Sequence, residues 1–273
     1  MKQMSLDEIQ AVNVRTLFTF AEFCERHGLQ YWLAYGTLLG AVRHEGIIPW
    51  DDDIDVWMPR EDYEVFAASF PDEECGTSYK FFYMGNDDGQ YDYRGIVSDE
   101  RTLHTYERRV TDLQYGLHID VFPLDYQAED ERERRRDAKR SFSYVDFAHR
   151  VCLADKSRYL SSHSTLHGLC YRAARLFSHI VSPRNLLLRE DERAKCMPKS
   201  NWVGIAGDNA IAGYRAEWFA ETVELQFNGR KLHAPAGYDE ILKTQYGDYM
   251  ALPPESERHP YGKGFWKDEA DCL

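Results

Sequence analysis

Four carboxylates occupy five positions in Asp51-Asp52-Asp53-Ile54-Asp55, shortly after a small-residue turn, Gly36-Thr37-Leu38-Leu39-Gly40. Charges of one sign packed this densely repel, and burying an unpaired carboxylate costs on the order of several kcal/mol. A fold that accepts this stretch has to bring a cation to it. In an extended strand the side chains at i, i+2 and i+4 share a face, which groups Asp51, Asp53 and Asp55 and turns Asp52 and Ile54 away. Apolar Ile54 and Val56 on the opposite face suit a strand lying on a core.

Three readings compete for these aspartates. Their 1, 3, 5 spacing imitates a calcium-binding EF-hand loop, but Val56 stands where that loop needs glycine, Pro59 at its ninth position and Asp62 where glutamate is usual. An acidic turn capping the helix that starts near Glu61 needs one aspartate and leaves the preceding turn unexplained. A metal-dependent phosphoryl-transfer site explains both parts. The Gly36-Thr37 turn, at a helix start, offers backbone N–H groups to a phosphate, while the nearby aspartates hold Mg²⁺ (or Mn²⁺) on the same phosphate. Such sites need a further carboxylate from a neighbouring strand, as ligand or as base. Asp120 in His118-Ile119-Asp120-Val121-Phe122-Pro123-Leu124-Asp125 fits, since alternation puts it opposite apolar Ile119 and Val121. Arg43 and Arg60 are candidates for phosphate oxygens or, equally, for ion pairs with the acidic cluster.

The rest of the chain reads as strands first, helices next and strands again, an α+β pattern. Leu6, Ile9, Val12, Val14, Leu17, Phe20, Ala21 and Phe23 form a helical stripe, with Ser5 and Glu8 as a capping box and an end near His27-Gly28. Strands are expected at 31–35, 53–58, 79–84, 93–97, 102–106 and 117–122, with a helix at 61–70 and a turn at 86–89. From Glu129 to about Cys196 the pattern is mainly helical. Strands return at 202–206, 222–227 and 231–233, then a helix at 238–246 and a Pro-rich tail.

A formal charge of −13 disfavours a nucleic acid polymer as partner, because that binding rests on a basic surface. The run Glu129–Arg140, six basic and five acidic residues, reads as a solvated helix face. With no apolar run near the roughly 20 residues that cross a bilayer, and no signal-peptide core, the expectation is a cytoplasmic protein. The basic amphipathic stretch Tyr171–Leu188 is either two core helices joined at Pro183 or a peripheral contact with the inner face of the membrane. Six scattered cysteines read as buried free thiols. P-loop, Rossmann, zincin and nucleophile-elbow motifs are absent.

The run from Tyr31 through Gly36-Thr37 to Arg43-His44, then Gly46-Ile47-Ile48-Pro49-Trp50-Asp51-Asp52-Asp53-Ile54-Asp55 and Met58-Pro59-Arg60-Glu61-Asp62-Tyr63, resembles the signature of the LicD family. Ile119–Asp125 and Tyr246-Gly247-Asp248-Tyr249-Met250 with Leu252-Pro253-Pro254 resemble its later elements. The resemblance implies a single catalytic domain with a nucleotidyltransferase-like mixed β-sheet core and flanking helices. Residues 1–128 would form the core, 129–200 a mainly helical insertion and 201–273 the completion of the core. It also implies transfer of a substituted phosphate from a CDP-alcohol donor, typically phosphocholine from CDP-choline, to a cell-surface glycan or its lipid-linked precursor. The fukutin branch transfers ribitol phosphate instead. Carried over by residue, the phosphate turn is Gly36 and Thr37, the metal motif Asp53 and Asp55 with Asp51 beside them, and the later acid Asp120. Fifteen residues separate Thr37 from Asp53, a longer gap than the general nucleotidyltransferase pattern has. Trp32, Trp50, Trp57 and Tyr249 are either core residues or faces for a cytosine or a quaternary ammonium. Two other functions stay open: attack on the α-phosphate of a nucleoside triphosphate, and a catalytically inactive nucleotide or glycan binding module.

Overall fold

The computed structural model describes residues 2–73, 77–86, 92–105, 115–152, 176, 178, 180–208, 210–260 and 264–267. A short strand β1 (Lys2–Gln3) leads into α1 (Leu6–His27), whose N-cap is Ser5. The Ser5 hydroxyl accepts from the Glu8 N–H at 3.3 Å while Glu8 accepts from the Ser5 N–H at 2.9 Å, the expected capping box. The helix stops at Gly28, whose φ of 65° suits a residue without Cβ. Its buried face carries Ile9, Val12, Leu17, Phe20 and Phe23, and also two polar residues, Asn13 and Thr16.

Next come β2 (Trp32–Leu33), α2 (Tyr35–His44), β3 (Asp55–Pro59), α3 (Arg60–Glu73), β4 (Tyr79–Phe82), β5 (Gly95–Asp99), β6 (Thr102–Thr105) and β7 (Leu117–Tyr126). Two helices follow, α4 (Glu131–Cys152) and α5 (Pro183–Lys195). The chain returns through β8 (Trp202–Gly204), β9 (Tyr214–Arg215), β10 (Thr222–Phe227), β11 (Arg230–Pro235), α6 (Tyr238–Tyr246) and β12 (Gly264–Lys267). The architecture is α+β. A seven-stranded mixed sheet runs β2-β3-β7-β5-β4, with β8 added to the end of β7 and β9 to β8. Only β3 and β7 pair in parallel among the strands of this sheet.

α1 packs on β5 and β7, and α3 on β3, β4 and β7. Phe20, Phe23, Phe66, Phe70 and Tyr31 interlock in the layer between helices and sheet, with ring centroids 4.8–5.3 Å apart, mostly edge to face. Leu187 and Leu188 of α5 pack with Ala148 of α4 and with Met84 and Tyr93. The Leu186–Leu188 part of the amphipathic stretch therefore includes core contacts; residues 171–175, 177 and 179 lie outside the described residues. Among the described residues no helix is long and apolar enough to cross a membrane.

Several expectations need correction. The strand expected at 53–58 begins at Asp55, and 51–54 is irregular. The charge run at 129–140 is not uniformly solvated: Arg134 is buried, donates to the carbonyls of Ala212, Ala128 and Glu129, and stacks 3.7 Å over Trp202. Arg140 forks onto Glu190 at 3.1 and 2.8 Å, tying α4 to α5. The tail holds a strand, β12, inserted between β1 and β6. Cys24 is buried as expected and Cys196 is exposed.

Candidate active site

The site is built at the edge where α2 begins and β3 and β7 run side by side. The β3–β7 register places Asp55 directly beside Asp120, and the Asp120 N–H donates to the Ile54 carbonyl at 2.8 Å. Both carboxylates stand on one face, opposite the fully buried Val56, Ile119 and Val121. Asp51 and Asp53 reach the same place from the loop and not by strand alternation. Amides on α1 hold that loop: Gln10 Nε2 donates to the carbonyls of Ile48 and Asp51 at 3.1 and 2.8 Å, and Asn13 Nδ2 to that of Asp52 at 2.9 Å. These side chains replace the strand partner that the loop's carbonyls lack. Hairpin β10–β11 clamps the loop's other end. Its two-residue Asn228-Gly229 turn, φ 49° and 83°, has the left-handed geometry of a tight hairpin. Asn228 accepts from the Ile47 N–H through its side chain at 2.9 Å and donates its own N–H to the Glu45 carbonyl at 2.8 Å.

Asp51, Asp53 and Asp55 line a cleft of about 590 Å³ together with Gly36 and Arg43 of α2, Trp50, and Tyr246, Asp248, Tyr249 and His259 from the C-terminal segment. Gly36 is required there: a Cβ at this position would stand 2.9 Å from Asp51 Oδ2. Its place in the first turn of α2 puts it among backbone N–H groups that the helix cannot satisfy internally. Thr37 is buried, and its hydroxyl accepts from the Asp55 N–H at 2.9 Å, so its side chain pins β3 to α2.

Burial, then the charge of Asp53, pushes the Asp51 carboxyl up to about 8. Asp55 is held well above the usual carboxylate range by burial and then by Asp53 and Asp120, against the opposing pull of Arg94. The aspartates therefore fail to ionise together without a counter-charge. Asp51, Asp52 and Asp53 each present an oxygen within 4.8 Å of the others, although Asp52 is buried and does not line the cleft. The donor set is carboxylate oxygen throughout, which suits a hard divalent ion such as Mg²⁺ or Mn²⁺.

The two arginines part company. Arg43 lines the cleft, and its Nη1 donates to the carbonyls of Tyr249 and Ala251 at 3.0 and 3.3 Å, fixing the C-terminal segment against α2. Arg60 is not among the cleft-lining residues. It makes a two-pronged contact with Asp125 at 2.7 and 2.6 Å and further pairs with Asp191 and Glu64. Of the aromatics, Trp32 and Trp57 are core residues, while Trp50 and Tyr249 line the cleft.

Two residues had escaped sequence reasoning. Arg94, just before β5, brings Nε to 3.2 Å from Asp120 Oδ1 and stands 5.9 Å over the Phe122 ring. The sequence signal was thin, a lone arginine between two tyrosines and a glycine. Tyr35, immediately before Gly36, has φ of 43°, a conformation that costs a non-glycine residue about 1–3 kcal/mol and clusters at functional sites. Its hydroxyl donates to Asp208 Oδ2 at 3.1 Å.

Residues 28–153 match the family model described as LicD/FKTN/FKRP, nucleotidyltransferase domain. The chain is similar to "Lipopolysaccharide cholinephosphotransferase LicD" of Haemophilus influenzae, 27% identical over 272 residues, which cover 96% of this chain and 97% of that protein. It is also similar to "Ribitol 5-phosphate transferase FKRP" of Homo sapiens, 55% identical over 100 residues, 37% of this chain and 18% of that protein. A third similarity, to "Mannosyltransferase regulator 4" of Saccharomyces cerevisiae, is 27% over 124 residues, 43% of this chain and 10% of that protein.

Proposed function

The chain belongs to the LicD family through the domain at residues 28–153, and we propose that it is a metal-dependent phosphotransferase moving a substituted phosphate from a CDP-alcohol donor to a sugar hydroxyl. The observation that carries this reading is the pairing of Asp55 with Asp120 on adjacent parallel strands, with Asp51 and Asp53 alongside and the N-terminus of α2 facing the same cleft. Phosphocholine is the transferred group favoured by the relative that aligns along nearly the whole chain; ribitol phosphate is the second reading, favoured by the locally stronger FKRP match.

Asp53 and Asp55, with Asp51 or Asp120, would hold Mg²⁺ or Mn²⁺. Such an ion neutralises the charge of a diphosphate and polarises the phosphorus under attack. The first-turn N–H groups of α2 at Gly36 orient the donor phosphate. Asp120 takes the proton of the acceptor hydroxyl as its oxygen bonds to the β-phosphorus. The bond from that phosphorus to the bridging oxygen breaks, and CMP leaves with the oxygen. Arg94 beside Asp120 holds that carboxylate in place. A lipid-linked acceptor would place the reaction at the cytoplasmic face of a membrane.

The test is product analysis with the full chain, Mg²⁺, and CDP-choline, CDP-ribitol, CDP-glycerol and CTP offered separately. CMP from a CDP-alcohol, abolished by Asp53→Asn or Asp55→Asn, is the expected result. Pyrophosphate from CTP would instead indicate nucleotidyl transfer, and no release from any donor a binding module.

A further inference from the structure

A second cavity, of about 570 Å³, adjoins the acidic cleft and shares Tyr35 and Tyr246 with it. Its walls come from different parts of the chain. Phe142, Asp146 and His149 recur at helical spacing on one face of α4, Asp208 projects from the loop after β8, and Arg94 and Phe122 close the side nearest the sheet. Tyr35 forms the partition, its hydroxyl tied to Asp208 and its ring edge-on to Phe122 at 5.5 Å. Arg94 lines this cavity and pairs with Asp120, which itself lines neither cavity, so whatever fills the space lies against the guanidinium that holds the carboxylate assigned as base.

The lining narrows the occupant. Carboxylates of Asp92, Asp146 and Asp208 outnumber the Arg94 guanidinium, which disfavours a phosphorylated or otherwise anionic group. Each of those carboxylates already has a protein partner, but a purely apolar ligand would strip water from their remaining lone pairs. A quaternary ammonium would find the Phe122 face taken by Arg94, whose charge repels a second cation, and is left with the Phe142 and Tyr246 rings, so it is the rival that the test below includes. A sugar meets every requirement: its C–H face packs on the rings, and its hydroxyls donate to the carboxylates and bond with imidazole and guanidinium. We propose that this cavity is the acceptor site, taking an uncharged hexose or N-acetylhexosamine, with the CDP-alcohol confined to the acidic cleft across Tyr35. This rests on the phosphotransferase reading and divides its two substrates between the two cavities. The acceptor hydroxyl, aimed past Arg94, gives its proton to Asp120 as its oxygen bonds to phosphorus and CMP departs.

The test is saturation-transfer NMR on the full chain with Mg²⁺, using the methyl glycosides of glucose, galactose, N-acetylglucosamine and N-acetylgalactosamine as probes, and tetramethylammonium as the rival. At least one glycoside should show transfer, and Mn²⁺ in place of Mg²⁺ should broaden its signals. Phe142→Ala and Asp146→Asn, two variants so that misfolding of one does not decide the result, should each weaken its binding at least tenfold while retaining the thermal shift given by CDP-choline with Mg²⁺. Transfer to none of the four glycosides, transfer unchanged in both variants, or tetramethylammonium binding that both variants abolish would each overturn the assignment. Absence of CMP release from every CDP-alcohol, with glycoside binding intact and lost in the variants, would instead overturn the phosphotransferase reading and leave the sugar site standing.

Discussion

Asp55 and Asp120 are register partners on adjacent parallel strands, so two carboxylates one strand spacing apart share a single face. Backbone hydrogen bonds hold them there, and neither can relax away without breaking the sheet. This enforced proximity, extended by Asp51 and Asp53, predicts that the protein's stability depends on both metal and pH.

The sign follows from proton counting. Asp51 and Asp55 hold protons in the metal-free native state that the unfolded chain gives up near pH 4, so the native state binds more protons between about pH 4 and 8. Stability without metal is therefore fullest at low pH and falls as pH rises through about 8. Mg²⁺ should offset that loss, so its stabilisation should grow from pH 6 to 8.5. Thermal denaturation with EDTA and with Mg²⁺ across this range checks it; a pH-independent Mg²⁺ shift would contradict the assignment of the aspartates as ligands.

Gly36→Ala should separate stability from function. Alanine favours a helix by about 1 kcal/mol over glycine, yet its methyl group would stand 2.9 Å from Asp51 Oδ2 and displace that carboxylate. We expect a melting temperature within a few degrees of the parent and a Mn²⁺ affinity at least tenfold weaker by calorimetry.

Asn13→Leu should destabilise the loop from behind. The buried Asp52 carbonyl loses its donor, a loss worth about 1–3 kcal/mol in urea unfolding. Gln10→Ala, at a less buried position, should cost less, and the two effects should not add because both amides hold the same loop.

Arg60→Met tests the separation of the two arginines. Asp125 is 3% exposed and loses its two-pronged partner, which should cost about 3–5 kcal/mol in denaturant. The thermal shift given by CDP-choline with Mg²⁺ should survive in whatever fraction folds. Arg43→Met should do the reverse, weakening donor binding with a smaller loss of stability, because it releases the Tyr249–Ala251 segment from the cleft.

Features with local causes were legible in the sequence. The α1 cap and the 238–246 helix follow from short-range chemistry, and the structure places them where the residues indicate. The position of Asp120 was readable because it stands between two apolar residues, Ile119 and Val121, which are buried on the other face of β7. What was not readable depends on register and on distant partners. The loop at 51–54 looks like strand until Gln10 and Asn13, some forty residues earlier, are seen to supply its hydrogen bonds. Asn13 on the largely apolar buried face of α1, with Gln10 one turn before it, was the available signal. Arg94 reaches Asp120 only because β5 pairs antiparallel with β7 at Ile96–Asp120, and no local pattern announces that register. Arg43 and Arg60 flank the motif on either side, and tertiary contacts alone send one to the cleft and the other to Asp125.

The excursion that carries α4 and α5 leaves β7 and returns in β8 with its two ends bonded to each other. Tyr126 pairs with Val203, and the Gln127 N–H donates to the Trp202 carbonyl at 2.9 Å. A loop whose ends are already joined can lengthen at little entropic cost and without disturbing the strands that hold the aspartates. This is also the loop that brings Phe142, Asp146 and His149 to the second cavity. Under the acceptor-site proposal, changes confined to this segment would alter one wall of the acceptor cavity while Asp55 and Asp120 stay fixed on two strands that take no part in the change.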